Sequence, residues 1–413
     1  MSSKINTVKG FADHLKPEAA LFNHIAGTAR DVFGSYGYRE VHIPILEYTE
    51  LFSRSIGAET DVVQKEMFTF PDRKGRSLTL RPEATAGLMR SYIEHSTHAR
   101  EPVTKLFTHG PMFRYERPQK GRMRQFHQVD CECLGATEPH VDAEMILMLM
   151  DYLTRLGIKD LSLEINTLGC RDCRPAYQET LRAYLLKRKK EDFCEDCQRR
   201  MDTNPLRVLD CKNPACKAMT EEAPNIFDNV CPDCRAHFEV VLRILNEAGL
   251  AHSINHRLVR GLDYYTRTTF EAVSGNIGAQ SSVAGGGRYD GLIADLGGPD
   301  IPGVGFACGL ERLALLLPEQ PAETQDFYIA VLDEAALDEA LLLACRLRKN
   351  GLTGEASYSA GSIKSQMRKA DAAKASYCLI LGGNELARGT VLVKNLHTGE
   401  QAEKNRAALN SLK

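Results

Sequence analysis

The sequence predicts an α+β protein built from more than one domain, and three observations carry that prediction. The stretch 103–134 reads as successive antiparallel strands with helical patterns on either side. Pro318 and Pro321 mark a linker. Beyond them, apolar runs alternate with helical segments, the pattern of a separate small α/β domain. The length of 413 residues agrees, since domains average roughly 150 residues.

The elements follow in order. Residues 17–36 form an amphipathic helix, because Leu21, Phe22, Ile25, Ala29, Val32 and Phe33 recur at three- and four-residue spacing. Pro17 suits the first helical position, and Gly34 and Gly37 end the helix. Val41, Ile43 and Ile45 alternate as a strand would, with Pro44 pointing to an edge or interface. Phe68 to Phe70 and Leu78 to Leu80 make a hairpin around DRKG at 72–75. Arg81-Pro82-Glu83 opens a helix, where Glu83 could simply complement the helix dipole. The strands of 103–134 are broken by the basic loop RPQKGRMR at 117–124, and 139–156 is strongly helical. Strand character returns at Tyr265 to Val273, followed by the cluster Gly285-Gly286-Gly287. Val304 to Ala307 is a short strand running into a helix at 309–317. In the last part, FYIAVL (327–332), SYCLILG (376–382) and TVLVKNL (390–396) are the apolar runs. No internal repeat or low-complexity stretch is present.

Composition narrows the class. Apolar residues make up 43% and charged residues 26%, which excludes collagen-like, disordered and membrane-embedded chains. Lys plus Arg is 52 and Asp plus Glu is 54, so the net charge is -2. A nucleic-acid partner must therefore meet local basic patches, not a basic body. The N-terminal MSSKINTVKGF lacks the apolar core of a secretory signal. The densest apolar run, Met145 to Met150, is far too short to span a bilayer. The expected location is cytoplasmic, with reduced thiols and no membrane partner.

Cysteine is the uneven component. Eight of the 13 lie between Cys170 and Cys234. They pair as Cys170/Cys173, Cys194/Cys197, Cys211/Cys216 and Cys231/Cys234, three C-x₂-C and one C-x₄-C, the spacing of structural zinc knuckles. Four knuckles could make two Cys₄ sites in three possible pairings, among which the spacing does not choose. Reduced, unliganded thiols in a metal-free insertion are the alternative. Eight paired thiols would then be an oxidation liability, which favours a structural Zn²⁺.

Polar stripes on strands point to a binding site. In QFHQVDCECL (125–134), Val129, Cys131 and Cys133 share one face, while Gln128, Asp130 and Glu132 share the other. A preceding strand places Arg114 and Glu116 on one face. From 114 to 124 there are five basic residues against one acid, a composition suited to phosphates and equally common in a solvated hairpin tip. A third strand, 263–271, puts Tyr265, Arg267, Thr269 and Glu271 on one face. The glycine cluster after it would serve a tight turn or a close approach to a ligand.

Taken together, these segments resemble the histidyl-tRNA synthetases, class II aminoacyl-tRNA synthetases. GSYGYREVHIPILE (34–47) resembles motif 1, FRYERPQKGRMRQFHQ (113–128) motif 2 and GVGFACGLERL (303–313) motif 3. LVRGLDYYTRTTFE (258–271) and AGGGRYDGL (284–292) resemble the two histidine-specific motifs. LTLRPEATAG (78–87) also fits, with Ala84 where glycine is common. The resemblance implies an antiparallel sheet flanked by helices, not a Rossmann fold. It implies a catalytic domain in two parts, 1–166 and 251–320, a cysteine-rich insertion at 167–250, and an anticodon-binding domain at 325–413. It also implies a ligase that activates L-histidine with ATP and transfers it to tRNA(His), with Mg²⁺ on the phosphates, in a homodimer formed through motif 1.

Residue roles follow from the same resemblance. Arg114 and Arg260 would be catalytic, holding the ATP α-phosphate and the reacting carboxylate, as a planar cationic fork can. Glu116, Arg122 and Arg312 would complete the ATP site. Glu83, Thr85 and Gln128 would hold the α-amino group. Glu132 and Tyr265 would read the imidazole, with Tyr264 and Tyr289 nearby. His127 faces away and receives no role. The segment 362–375 carries Lys364, Arg368, Lys369 and Lys374 against Asp371, a basic helix that suits an RNA backbone or a solvated face. The alternative function is a histidine-sensing regulatory paralogue of histidine biosynthesis. It is disfavoured because that protein is expected to lack the C-terminal domain and some ATP-site residues. A zinc-dependent nucleic-acid-binding protein would explain the cysteines but not the histidine motifs.

Overall fold

The computed structural model describes residues 4–57, 60–277, 282–317 and 324–412. The chain separates into two compact units, residues 1–319 and 320–413. The Pro318–Pro321 linker lies outside the described residues.

Helix α1 (Glu18–Ser35) buries Ile25, Ala29, Val32 and Phe33, as the spacing predicts. Gly34 sits inside it, and Gly37, at φ +84°, turns the chain out. The predicted strand at 41–45 is not regular; it lies between β1 (Arg39–Glu40) and β2 (Leu46–Tyr48). Pro44 has no N–H to give a ladder. The buried Arg81 guanidinium takes the carbonyls instead, donating to Ile43 O at 3.0 Å and Pro44 O at 3.5 Å. Helix α2 (Thr49–Ile56) leads to the predicted hairpin, β3 (Phe68–Pro71) and β4 (Ser77–Leu80), which forms a small sheet in the order β2-β4-β3. After α3 (Thr85–Glu94) come β5 (Thr104–Phe113) and β6 (Gln125–Leu134), paired antiparallel from Thr104–Leu134 to Phe113–Gln125. Helix α4 (Pro139–Arg155) and β7 (Leu161–Thr167) precede the cysteine-rich segment. That segment folds as α5 (Arg174–Leu185), α6 (Glu195–Thr203), α7 (Leu206–Leu209), α8 (Pro214–Met219) and α9 (Pro232–Glu247). Next come β8 (Ser253–Ile254), β9 (Thr266–Ser274), β10 (Ser282–Arg288), α10 (Leu292–Asp295), β11 (Gly303–Gly309) and α11 (Leu310–Ala314).

The large sheet runs β1-β5-β6-β11-β10-β9-β7-β8. Its interior pairs are antiparallel, and only the edge pairs β1–β5 and β7–β8 are parallel. One face is closed by α1, α4, α9 and α11, which pack on Val129, Cys131, Cys133, Phe270 and Phe306. The other face is left for a cleft.

The second unit contains β12 (Gln325–Val331), α12 (Leu337–Lys349), β13 (Gly354–Ala356), α13 (Ile363–Ala372), β14 (Ala375–Leu381), α14 (Gly383–Arg388), β15 (Thr390–Asn395) and β16 (Gln401–Asn405). Its sheet runs β13-β12-β14-β15-β16, parallel in the first three strands and antiparallel after them. The three apolar runs are β12, β14 and β15. Helix α13 leaves Lys364, Arg368 and Lys369 exposed. Among the described residues, no helix is long and apolar enough to cross a membrane.

Candidate active site and cysteine clusters

The open face of the large sheet forms the floor of a cleft of about 1230 Å³. Register explains how it is lined. On β6, Val129, Cys131 and Cys133 go to the core, so Gln128, Asp130 and Glu132 must face the cleft. Arg114 and Glu116 lie just beyond the end of β5, where the Arg114 N–H donates to Arg124 O at 2.9 Å. Arg122 reaches back to Glu116 at 2.5 Å. Glu83 precedes α3, and one carboxylate oxygen accepts the Ala86 N–H at 2.9 Å. Arg260, Tyr264 and Tyr265 come from the irregular loop before β9, and Arg312 comes from α11. All twelve predicted histidine- and ATP-site residues line this one cleft.

The cleft residues fall into two groups by chemistry. In the acidic, tyrosine-rich group, Glu132 is 1% exposed. One of its oxygens accepts from Thr85 Oγ1 at 2.6 Å, and the other accepts from the Tyr289 hydroxyl. Burial pushes the Glu132 carboxyl up to about 8, against the pull of these two hydroxyls. Tyr264 stacks near Tyr265 and Tyr289, with ring centroids 4.7 and 5.7 Å away. Among the described residues, buried oxygens of Glu83, Gln128 and Asp130 have no hydrogen-bond partner. Burial also raises the carboxyls of Glu83 and Asp130 above the usual range. Such unpaired acceptors are costly unless a ligand supplies donors.

The other group is built around arginines. Arg114 donates to Pro82 O at 2.9 Å and lies 5.3 Å from the Phe126 ring. Arg260 pairs with Glu271; burial works against its charge, but Glu271 and the two tyrosines outweigh it. Arg312 donates to Ser282 O at 2.6 Å, and burial, then Arg122, lower its affinity for its proton.

Two glycines in the strands are explained by close approach. A Cβ on Gly305 would lie 1.7 Å from a Glu132 oxygen, and one on Gly285 would lie 2.3 Å from an Arg260 nitrogen. The glycine cluster therefore makes room for site side chains.

The predicted face of 265–271 needs correction. Tyr265 and Glu271 line the cleft, but Arg267 does not. The pairing of β9 with β10 slips between Thr269 and Thr266, and Arg267 takes φ +47°. This bulge turns Arg267 to the helical side, where it meets His237 Nδ1 at 3.1 Å. There His237 Nε2 lies 2.8 Å from Asp142, which also pairs with the fully buried Arg288. His127 faces away from the cleft as expected; its main-chain N–H donates to Glu311 at 2.9 Å, tying β6 to α11. Asp130 and Glu271 are cleft residues to which the sequence assigned no role. Their signal was the alternation of each polar strand.

The eight paired cysteines form two groups. Cys170, Cys173, Cys231 and Cys234 make one; Cys194, Cys197, Cys211 and Cys216 make the other. All 13 thiols are free. Within each group the sulfurs lie within 4.8 Å of one another. Closer pairs are Cys170–Cys173 at 3.5 Å, Cys170–Cys231 at 4.0 Å, Cys173–Cys234 at 3.9 Å and Cys194–Cys211 at 3.7 Å. A tetrahedron of sulfurs about 2.3 Å from a central ion has edges of about 3.8 Å. The first group joins the two ends of the insertion; the second closes inside it.

Comparison with known proteins gives a consistent result. The family model described as histidyl-tRNA synthetase matches residues 10–313, and the anticodon binding domain model matches 326–412. A histidine–tRNA ligase of Nitratidesulfovibrio vulgaris (strain Hildenborough) is 62% identical over 407 residues, covering 98% of each chain. The crystal structure of an apo S. aureus histidyl-tRNA synthetase superposes with a TM-score of 0.82 at 35% identity, over 98% of each chain. A Bacillus halodurans structure described as an ATP phosphoribosyltransferase regulatory subunit/histidyl-tRNA synthetase shares the fold at 18% identity and a TM-score of 0.67, covering 93% of this chain and all of its own. The chain belongs to the histidyl-tRNA synthetase family, class II ligases that convert histidine and ATP to histidyl-adenylate and pyrophosphate and then transfer the histidyl group to tRNA(His).

Proposed function

We propose that the cleft carries both steps, with the acidic, tyrosine-rich group holding histidine and the arginine group holding ATP. One observation supports this most strongly: residues from five separate stretches of sequence converge on a single cleft. Arg114 and Arg260 are assigned to the reacting carboxylate and α-phosphate, where two guanidinium groups offset the charge of the transition state. The attacking carboxylate is already ionised, so no protein base is required. Arg312, Glu116 and Arg122 hold the rest of the nucleotide, and Mg²⁺ would neutralise its outer phosphates. Glu83, Thr85 and Gln128 receive the α-ammonium group, giving partners to two of the unpaired oxygens.

Glu132 reads the imidazole. Its two oxygens are already oriented by Thr85 and Tyr289, and Tyr264 and Tyr265 enclose the ring. Replacing Glu132 by Gln tests this. Histidine-dependent ATP–pyrophosphate exchange should show the KM for histidine rising at least roughly 10-fold while that for ATP stays within about twofold. Equal losses for both substrates would contradict the assignment.

The donor sets of the two cysteine groups fit Zn²⁺, which when bound would crosslink the insertion at residues 167–250 and supply no chemistry. The homodimer is proposed through motif 1, supported by exposed apolar residues on and beside the small sheet: Ile45, Leu46, Tyr48 and Phe70. A cytoplasmic location agrees with the free thiols. The basic helix α13 is assigned to RNA contact within the anticodon-binding unit.

A further inference from the structure

The loop at 255–265, which carries Arg260, Tyr264 and Tyr265, belongs to no helix or strand. Its backbone carbonyls therefore have no ladder to fix them; Asn255 O takes the Leu258 N–H at 2.9 Å, and side chains hold three others. Asn166 donates to Leu258 O at 3.1 Å. The other holders come from the cysteine-rich insertion. Arg207 Nη1 donates to Arg260 O at 2.6 Å, and Arg174 donates to Tyr265 O. Asn204 adds a bond to Asp263 at 2.9 Å. Both arginines lie close in sequence to members of the cysteine groups. Arg174 follows Cys173 directly, and Arg207 stands between Cys197 and Cys211 on the short helix α7.

These are not ordinary surface contacts. The Arg207 side chain is 17% exposed and also pairs with the Asp210 carboxylate at 3.6 Å. Among the described residues, the Tyr265 carbonyl is the one hydrogen-bond acceptor of the Arg174 guanidinium. Arg174 thus spends its partly buried charge on one carbonyl of this loop, and Arg207 divides its charge between a second carbonyl and Asp210. The two carbonyls belong to the residue assigned to the α-phosphate and to a residue assigned to the imidazole.

We propose that Arg207 and Arg174 are positioning residues of histidine activation, through which the cysteine-rich insertion sets the geometry of Arg260 and Tyr265. This rests on the roles proposed above for those two residues. Arg260 acts on charge that develops in the transition state, so a misplaced Arg260 lowers kcat. Tyr265 contacts bound histidine, so a misplaced Tyr265 raises KM. A shift of about 1 Å at a reacting group can cost about 100-fold.

The test is ATP–pyrophosphate exchange with full-length Arg207→Ala, Arg207→Lys, Arg174→Ala and Arg260→Ala proteins, alongside metal content and thermal midpoint. Arg207→Ala should lower kcat by roughly 10- to 100-fold with the KM for histidine within threefold. Arg207→Lys should recover most of that loss, because one ammonium can serve one carbonyl. Arg174→Ala should act mainly on the KM for histidine. Metal content and midpoint should match the unaltered protein. If Arg207→Ala keeps kcat within twofold while Arg260→Ala abolishes exchange, the positioning role is overturned and the role of Arg260 stands. If Arg260→Ala leaves exchange intact, the underlying assignment fails instead. Loss of metal and midpoint in step with activity would also overturn the proposal, leaving both arginines as structural residues of the insertion.

Discussion

At the residue scale the site is governed by burial. Glu132 is buried, which raises its carboxyl to about 8, so it keeps its proton well above the usual carboxylate range while the cleft is empty. Free imidazole titrates near 6.5. A bound pair that shares one proton between carboxyl and ring then gives a signed prediction. Between about 6.5 and 8, one partner already brings that proton, and histidine affinity should be flat. Above about 8 both partners are unprotonated and binding must take up a proton, so affinity should fall towards tenfold per unit. Below about 6.5 the ring and the carboxyl each carry a proton and one must leave, so affinity falls again. Glu132→Gln removes the fall above 8 and serves as the control for the substrate's own amino group. Calorimetric titration from pH 6 to 9 reads both arms; identical profiles for the two proteins would exclude a titrating Glu132. This environment was only half legible in the sequence. Alternation showed that Gln128, Asp130 and Glu132 share a face, but not that Thr85, Tyr289 and an absent Cβ at Gly305 enclose it.

At the scale of elements, the long strands and helices follow from the sequence pattern, and the departures answer to partners far along the chain. The periodic patterns of α1, α4, β5 and β6 are set by burial on one face, which any reading of apolar spacing recovers. The segment 41–45 alternates like a strand but gives its carbonyls to Arg81, a partner 38 residues from Ile43 that no local pattern reveals. The bulge at Arg267 is similar. It answers to His237 on α9, and through it to Asp142 and Arg288. The cysteine groups also belong to this scale. If each holds Zn²⁺, elemental analysis of protein purified without chelator should find about two per chain. Prolonged chelation should remove them, melt the insertion and silence pyrophosphate exchange. A metal content near zero in active protein would exclude the structural-zinc assignment.

At the scale of the molecule, the two units have separate cores, one around the large sheet and one around β12 and β14. The near-neutral total charge conceals basic segments at 114–124 and 362–375. This division predicts that a chain ending at residue 317 keeps histidine-dependent pyrophosphate exchange within a fewfold of the full chain. It should lose tRNA(His) charging and still sediment as a dimer, since the small sheet remains. A truncated chain that charges tRNA normally would remove the second unit from recognition, and a monomer would remove the motif 1 interface.

The sequence by itself determined the α+β class and the two faces of β6, and through its motif resemblance the family and twelve residues that the fold gathers in one cleft. It could do so because periodicity and motif spacing are properties of neighbours along the chain. Only the tertiary structure decided which knuckles pair, that Arg267 leaves its face, and that the insertion holds the loop of Arg260 and Tyr265. Those outcomes depend on contacts between residues tens of positions apart, where hydrogen bonds and close packing are satisfied by whichever groups the fold brings together.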